Sequence, residues 1–378
     1  CNGYKKLSMN SEWLAVSKEV MFLTEKIHRG DEAKAASALF GVAEAYEVLG
    51  QNEEAISMFH ECKELLKRAL SKDHIDVAKV MQRLANIYEK MGNFESAYEN
   101  NVRALDIAKA NFESADPQLG EMYHRLGITC MKMQEYDKTR NHLQEALTIF
   151  KSNEMARETC LVLMALGDVY RLMRDADTAL MCYERCFTFV HDIQEEPDIM
   201  GSLYLAFGHA RLSKKLWSGA QECFEKALRN RTERFGKDHE STAKASRSLG
   251  IAKYMTNSFA EARIYMEDFV RVIEAKKAAN DTSYVLVLQL LGEINLTEDR
   301  RAEAQVYWTK AKNMVDEFPT IRDKLPTLGD IITHRMQKAH TQVHQTKSFL
   351  SRFTELARFE DEVSSELPVE ERLKDLIT

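Results

Sequence analysis

The sequence predicts an all-α protein: a right-handed α-solenoid of about seven helix-turn-helix repeats, with an N-terminal capping helix and a long C-terminal helix. Three observations carry this. The 378 residues include only 15 Gly and 5 Pro, where average usage would give roughly 26 and roughly 19. Apolar residues make up 44% and charged residues 29%, which suits a packed core and not a disordered chain. One apolar pattern also recurs at a near-constant interval between residues 33 and 318, the mark of stacked helical repeats.

Residues 1–32 come first. They carry an amphipathic segment over 11–29, with Trp13, Leu14, Val20, Met21, Leu23 and Ile27 at its apolar positions. This segment reads either as a cap on the first repeat or as the second helix of a unit cut off upstream. The chain opens on Cys1 and not on Met, so we expect that its natural start lies further upstream. No signal-peptide pattern follows.

Seven repeats then fill 33–318. In the first helix of each, a large apolar residue precedes a small one: Val42-Ala43, Leu84-Ala85, Leu126-Gly127, Leu166-Gly167, Phe207-Gly208, Leu249-Gly250 and Leu291-Gly292. The small residues are separated by 42, 42, 40, 41, 42 and 42 positions. A small residue there lets two helix backbones approach closely. The second helices carry Ala55, Ala97, Ala179, Ala220, Ala262 and Ala304. We expect these alanines to seat against the small residue, with the aromatic just before them (Phe94, Trp217, Phe259) filling the space alongside. Pro117, Pro197 and Pro319 fall after second helices, where a proline can stop a helix without breaking its hydrogen-bond ladder. No unit can bury its apolar stripe alone, so neighbours must stack.

These residues resemble the tetratricopeptide repeat (TPR) family over about 33–318. The period near 42, against about 34 for the common form, implies helices about one turn longer. The linkers Leu70-Ser71-Lys72-Asp73-His74-Ile75 and Phe235-Gly236-Lys237-Asp238-His239-Glu240 are similar to the inter-repeat segments of kinesin light chains. An Asp there can cap the following helix. Ala104-Leu105-Asp106-Ile107 and Ala146-Leu147-Thr148-Ile149 fit that family's second-helix ending. Kinesin light chains place paired Asn before the small residue; here those places hold, among others, Gln82-Arg83, His124-Arg125 and Arg247-Ser248. The resemblance therefore extends to the repeat type and not to a particular cargo. It implies a cytoplasmic adaptor, with cytoskeletal or ciliary settings as its reach.

Beyond the repeats, 319–359 is expected to hold a helix from about 328. Ile332, Met336, Ala339, Val343, Leu350, Phe353 and Ala357 form a heptad seam, so the helix either caps the seventh repeat or pairs as a coiled coil with a partner. An acidic tail occupies 360–378, with six acids and no base over 360–371.

No run of 18 apolar residues exists, so membrane insertion is not expected. Net charge is −7 with acids and bases interspersed, which disfavours nucleic acid as a partner. The seven cysteines are scattered without a C-x-x-C pair, as in a reducing compartment. His334, His340 and His344 on the C-terminal helix lack a completing carboxylate motif, and Cys182 with Cys186 reads as core packing. No nucleotide-binding loop, HExxH or G-x-S-x-G is present. The sequence thus predicts no enzyme, no cofactor and no metal site.

Binding is the remaining class. Counted from the small residue, groove-facing places lie three before, one after and four after it. In repeats one to three these are Phe40, Glu44, Glu47, Gln82, Asn86, Glu89, His124, Ile128 and Met131. In repeats four to six they are Met164, Asp168, Arg171, Leu205, His209, Leu212, Arg247, Ile251 and Tyr254, and repeat seven adds Gln289, Glu293 and Leu296. We expect partner peptides or helices to dock there, unless these side chains touch neighbouring first helices or the C-terminal helix instead. A basic group, Arg229, Arg231, Arg234 and Lys237, ends one second helix, where it suits the helix dipole. A non-enzymatic scaffold is the first reading. The others are a peptide-sensing regulatory solenoid and the interaction domain of a larger protein.

Overall fold

The computed structural model describes residues 10–28, 30–189, 197–276, 282–324 and 326–340. Among these residues there are 17 α-helices and no strand. The helices fall into two compact units, Cys1–Ala165 and Leu166–Thr378.

The first unit holds α1 (Asn10–Ile27), α2 (Glu32–Val48), α3 (Asn52–Ala69), α4 (Ile75–Lys90), α5 (Phe94–Asn111), α6 (Pro117–Lys132) and α7 (Tyr136–Ser152). Helix α8 (Ala156–Leu172) contains the boundary. The second unit continues with α9 (Ala176–Cys186), a 3-10 turn at Phe187–Phe189, α10 (Pro197–Ser213), α11 (Trp217–Phe235), α12 (Glu240–Met255) and α13 (Phe259–Ala275). It ends with α14 (Thr282–Thr297), α15 (Arg301–Glu317), the short α16 (Pro319–Lys324) and α17 (Leu328–His340). Within each unit a first helix packs on its own second helix, and that second helix packs on the next first helix. The chain is an all-α array of helix pairs, as its periodicity predicts.

The close crossing forms at the predicted small residues, but a different side chain fills it. A Cβ placed on Gly167 or Gly208 would lie 2.5 Å from the ring of Tyr183 or Phe224, and one on Gly127 would lie 2.7 Å from Leu143. A Cβ on Gly250 would meet Met266, and one on Gly292 would meet Trp308. The side chain in contact thus stands four residues past the alanine, not just before it. A helical side chain leans toward the N-terminus and covers the turn preceding its own Cα. So the Tyr183 ring fills the crossing at Gly167, while the backbone at the alanine place also seats close by, Ala262 O lying 3.2 Å from a Cβ on Gly250. The residue sixteen positions past the small one is Phe59, Asn101, Leu143, Tyr183, Phe224, Met266 or Trp308 in successive repeats, and each is buried.

Each first helix ends through the same turn. Seven positions past the small residue the backbone takes a left-handed φ: Gly50 and Gly92, then Gln134, Arg174, Lys215, Asn257 and Asp299, at 58–78°. The next amide reaches back five residues, as from Gln51 N to Tyr46 O (3.0 Å) and from Leu216 N to Arg211 O (2.9 Å). This bond satisfies a carbonyl that the helix end leaves without an intrahelical partner. Five repeats hold a side chain where glycine would be unstrained.

Two local expectations are revised. The caps of α4 and α12 are His74 and His239, whose Nδ1 atoms accept from Asp76 N and Ser241 N at 3.2 Å. Asp73 and Asp238 do not cap; Asp238 pairs with Arg271 at 2.6 Å. The three prolines open the next helix where we expected them to close the previous one. Pro117, Pro197 and Pro319 begin α6, α10 and α16, since the first helical residue needs no amide donor. Asp116 caps α6 by accepting from Gln118 N at 2.8 Å.

Helix α17 packs on α15, burying Leu328 and Ile332 in the second unit's core. The seam positions from Val343 onward, His344 and the acidic stretch lie outside the described residues. Among the described residues, no helix is long and apolar enough to cross a membrane.

Gly292→Ala is expected to cost roughly 2–3 kcal/mol by overpacking against Trp308, read as a lower urea midpoint with an unchanged slope. Lys215→Gly removes a side chain from a left-handed turn and should stabilise the protein by about 1 kcal/mol in the same assay.

Candidate partner-binding surface

In the first unit the predicted groove residues stand on α2, α4 and α6, and most of them are half-buried. They bond from one first helix to the next. Glu44 pairs with Arg83, which also lies 3.6 Å from Glu47. Lys90 meets Glu47 at 2.6 Å, and Arg125 Nη1 donates to Asn86 Oδ1 at 2.6 Å. The Thr129 hydroxyl donates to Glu89. Gln82, His124 and Met131 are half-buried, whereas Ile128 is buried. Met164, on α8, is also buried.

In the second unit the corresponding places are enclosed. Leu205, Leu212, Ile251 and Tyr254 belong to its hydrophobic core. Asp168 accepts from Tyr183 Oη at 2.7 Å and has Arg171 at 3.8 Å, with both charges buried. His209 Nε2 lies 3.3 Å from Ser248 Oγ, and its ring meets Phe224 edge-on at 5.0 Å. The Arg247 guanidinium lies over the Phe269 ring at 5.9 Å. Tyr254 Oη donates to Glu293 Oε2 at 2.7 Å, and Glu293 also faces Arg335 of α17 at 3.4 Å. Gln289 and Leu296 are half-buried.

Arg83, Arg125 and Ser248 were not among the expected contact residues, yet each stands two before a small residue and bonds the residue one after the previous small residue. The spacing of 39 between Glu44 and Arg83, Asn86 and Arg125, and His209 and Ser248 is the sequence signal that marks them. In the basic group, Arg231 donates to Ser241 O at 2.9 Å and Arg234 pairs with Asp198, which leaves Arg229 and Lys237 on the surface.

Reactive chemistry is suppressed in the interior. The six described cysteines are buried thiols; burial pushes Cys62 up to about 12 and Cys130 and Cys182 to about 11. Such thiols are poor nucleophiles at neutral pH. Among the described residues, no group of three or more His, Cys, Asp or Glu could hold a metal ion.

The family model described as tetratricopeptide repeat matches residues 34–110, 118–189 and 200–275. The chain belongs to the TPR family. Solved TPR-type structures resemble it at low identity. BtubC (BKLC) from P. vanneervenii is 18% identical, with a TM-score of 0.53 over 60% of this chain and 92% of that one. A signal-transduction ATPase with numerous domains and a tetratricopeptide repeat sensor, from Pyrococcus horikoshii, is 14% identical, with a TM-score of 0.62 over 83% of this chain and 46% of that one. Aspartyl phosphate phosphatase F from Bacillus subtilis is 12% identical, with a TM-score of 0.58 over 79% and 74%. At these identities the likeness shows the fold. No curated protein matches the sequence.

One groove residue of this TPR protein gives a pH test. Burial, and then the charge of Arg125, push His124 down to about 4 from its ordinary 6.5. The folded state thus holds the ring neutral, and the unfolded chain takes the proton first. Stability from this group is complete above pH 6.5 and is lost as pH falls toward 4, by up to about 3 kcal/mol. His60 and His142 are also pushed down by burial and act with the same sign. His124→Gln should flatten the urea-midpoint profile between pH 6.5 and 4 without abolishing its slope.

Proposed function

We propose that this TPR protein is a non-enzymatic scaffold that holds a protein partner within a larger assembly. The observation that carries the reading is the first-helix face of the first unit. There Phe40, Gln82, Asn86, His124 and Met131 recur at matching places in three successive repeats, and all are half-buried. A row of accessible side chains at one period suits an amphipathic helix or an extended peptide lying across the repeats. The matching places in repeats four to six serve the core, so we assign them to support. The kinesin-light-chain resemblance of the linkers and of the 42-residue period favours a microtubule-linked or ciliary setting.

A second reading is a sensor whose repeats shift when a peptide binds. The bonds of Arg83 and Arg125 to the preceding first helix favour it, because a ligand carboxylate or amide could compete for either guanidinium. Small-angle scattering with and without the captured peptide separates the two readings.

Affinity purification from native cells with mass spectrometry tests the scaffold. The double variant Gln82→Lys, Met131→Glu should lose the recovered partner while its helical melt stays near wild type. Leu205→Glu, in the core, should lower the melt itself. Partner recovery unchanged by the double variant would sink the surface assignment.

A further inference from the structure

Helix α1 gives α2 one face and leaves the opposite one open. Trp13 and Ser17 are buried, and Met21 packs on the first unit's core. On the open side Val20, Phe22, Leu23 and Ile27 are 41%, 61%, 43% and 68% exposed. No other described helix exposes more than one large apolar side chain. Single exposed apolar residues are ordinary on a protein surface, whereas a cluster of them marks a contact surface. The four side chains together present on the order of 400 Å², the size of the patches at which such contacts form.

The charges around this cluster say what fits it. Glu19 and Lys26 are exposed, one on each side of Phe22 and Leu23 along the helix. The four residues are spaced i, i+3, i+4 and i+7, so they share one face. Along α1 that face runs acid, apolar, apolar, base, and in reverse it complements itself. A copy of α1 running antiparallel, centred between Phe22 and Leu23, sets Glu19 of each copy against Lys26 of the other. The same register brings the Phe22 and Leu23 side chains of the two copies together, with Val20 and Ile27 flanking them. A parallel pair would set Glu19 on Glu19 and Lys26 on Lys26, and like charges so placed repel. A lipid surface is a poorer match, because α1 carries three acids and two bases where a membrane-lying helix carries an excess of base.

We propose that the Phe22–Leu23 face of α1 is a self-association surface, and that its occupant is α1 of a second copy of this chain, antiparallel to the first. Two such faces bury about 800 Å² of apolar surface between them, which places the pair among weak, reversible complexes. The contact is isologous, since the same residues serve both sides and no further copy can add to it.

Sedimentation equilibrium of the 378-residue chain tests this. The mass should rise from 43.5 kDa toward twice that value with a dissociation constant of roughly 10–100 μM. Phe22→Glu with Leu23→Glu should keep the chain monomeric throughout that range, with a helical melt near wild type because both side chains stand in water in the monomer. Glu19→Lys and Lys26→Glu, each alone, should weaken the dimer about tenfold by setting like charges together at both ends. An equimolar mixture of these two variants should associate at least as tightly as wild type, since every like pair becomes an opposite one. Three results would overturn the proposal. They are a wild-type chain still monomeric at roughly 100 μM, which would leave the face to another partner or to solvent; a dimer that survives Phe22→Glu with Leu23→Glu; and a mixture of the two charge variants that associates no better than either alone.

Discussion

The close approach of two helices at one small residue per repeat is the constraint on which the rest of the structure depends. Gly127, Gly167, Gly208, Gly250 and Gly292 have no room for a methyl group, because a bulky side chain from the second helix occupies that volume. The contact fixes how deep each second helix sits against its first. That depth fixes which residues of the second helix remain to receive the next first helix. Packing at native density leaves little freedom to adjust one without the other. A period of 40–42 residues is therefore retained even where the side chain changes from Tyr183 to Met266 or Asn101.

Much of this was legible in the sequence, since the small residues announce themselves by chemistry and spacing together. The identity of the facing side chain was not, because it depends on the lean of a helical Cα–Cβ bond and not on sequence adjacency. The left-handed turns were visible only where glycine marks them, at Gly50 and Gly92. At Gln134, Arg174, Lys215, Asn257 and Asp299 the packed helices impose the conformation on residues that do not prefer it. Histidine caps were hidden behind a neighbouring aspartate that fits the role better on propensity alone. The candidate surface was the least legible part. Phe40 and Leu205 occupy the same repeat position apart from one being half-buried and the other core, and only tertiary packing distinguishes them.

The face of the first helices carries two demands. Glu44 with Arg83, Asn86 with Arg125 and His209 with Ser248 join successive repeats through polar side chains. Hydrogen bonds of this kind contribute modestly but lose much if one partner is buried alone. They hold the register of neighbouring repeats while keeping the face polar, which a purely apolar seam would not. Where the place one after the small residue is filled by Ile251, that side chain belongs to the core instead.

The buried thiols have a consequence of their own. Cys62, Cys130, Cys160, Cys182, Cys186 and Cys223 lie in repeats one, three, four, four, four and five, all enclosed. A thiol reagent reaches such a group only when the helices around it part, and local opening has its own free energy in each region of a structure. The protein thus carries chemical clocks distributed along its length, each timing how often its own repeat breathes.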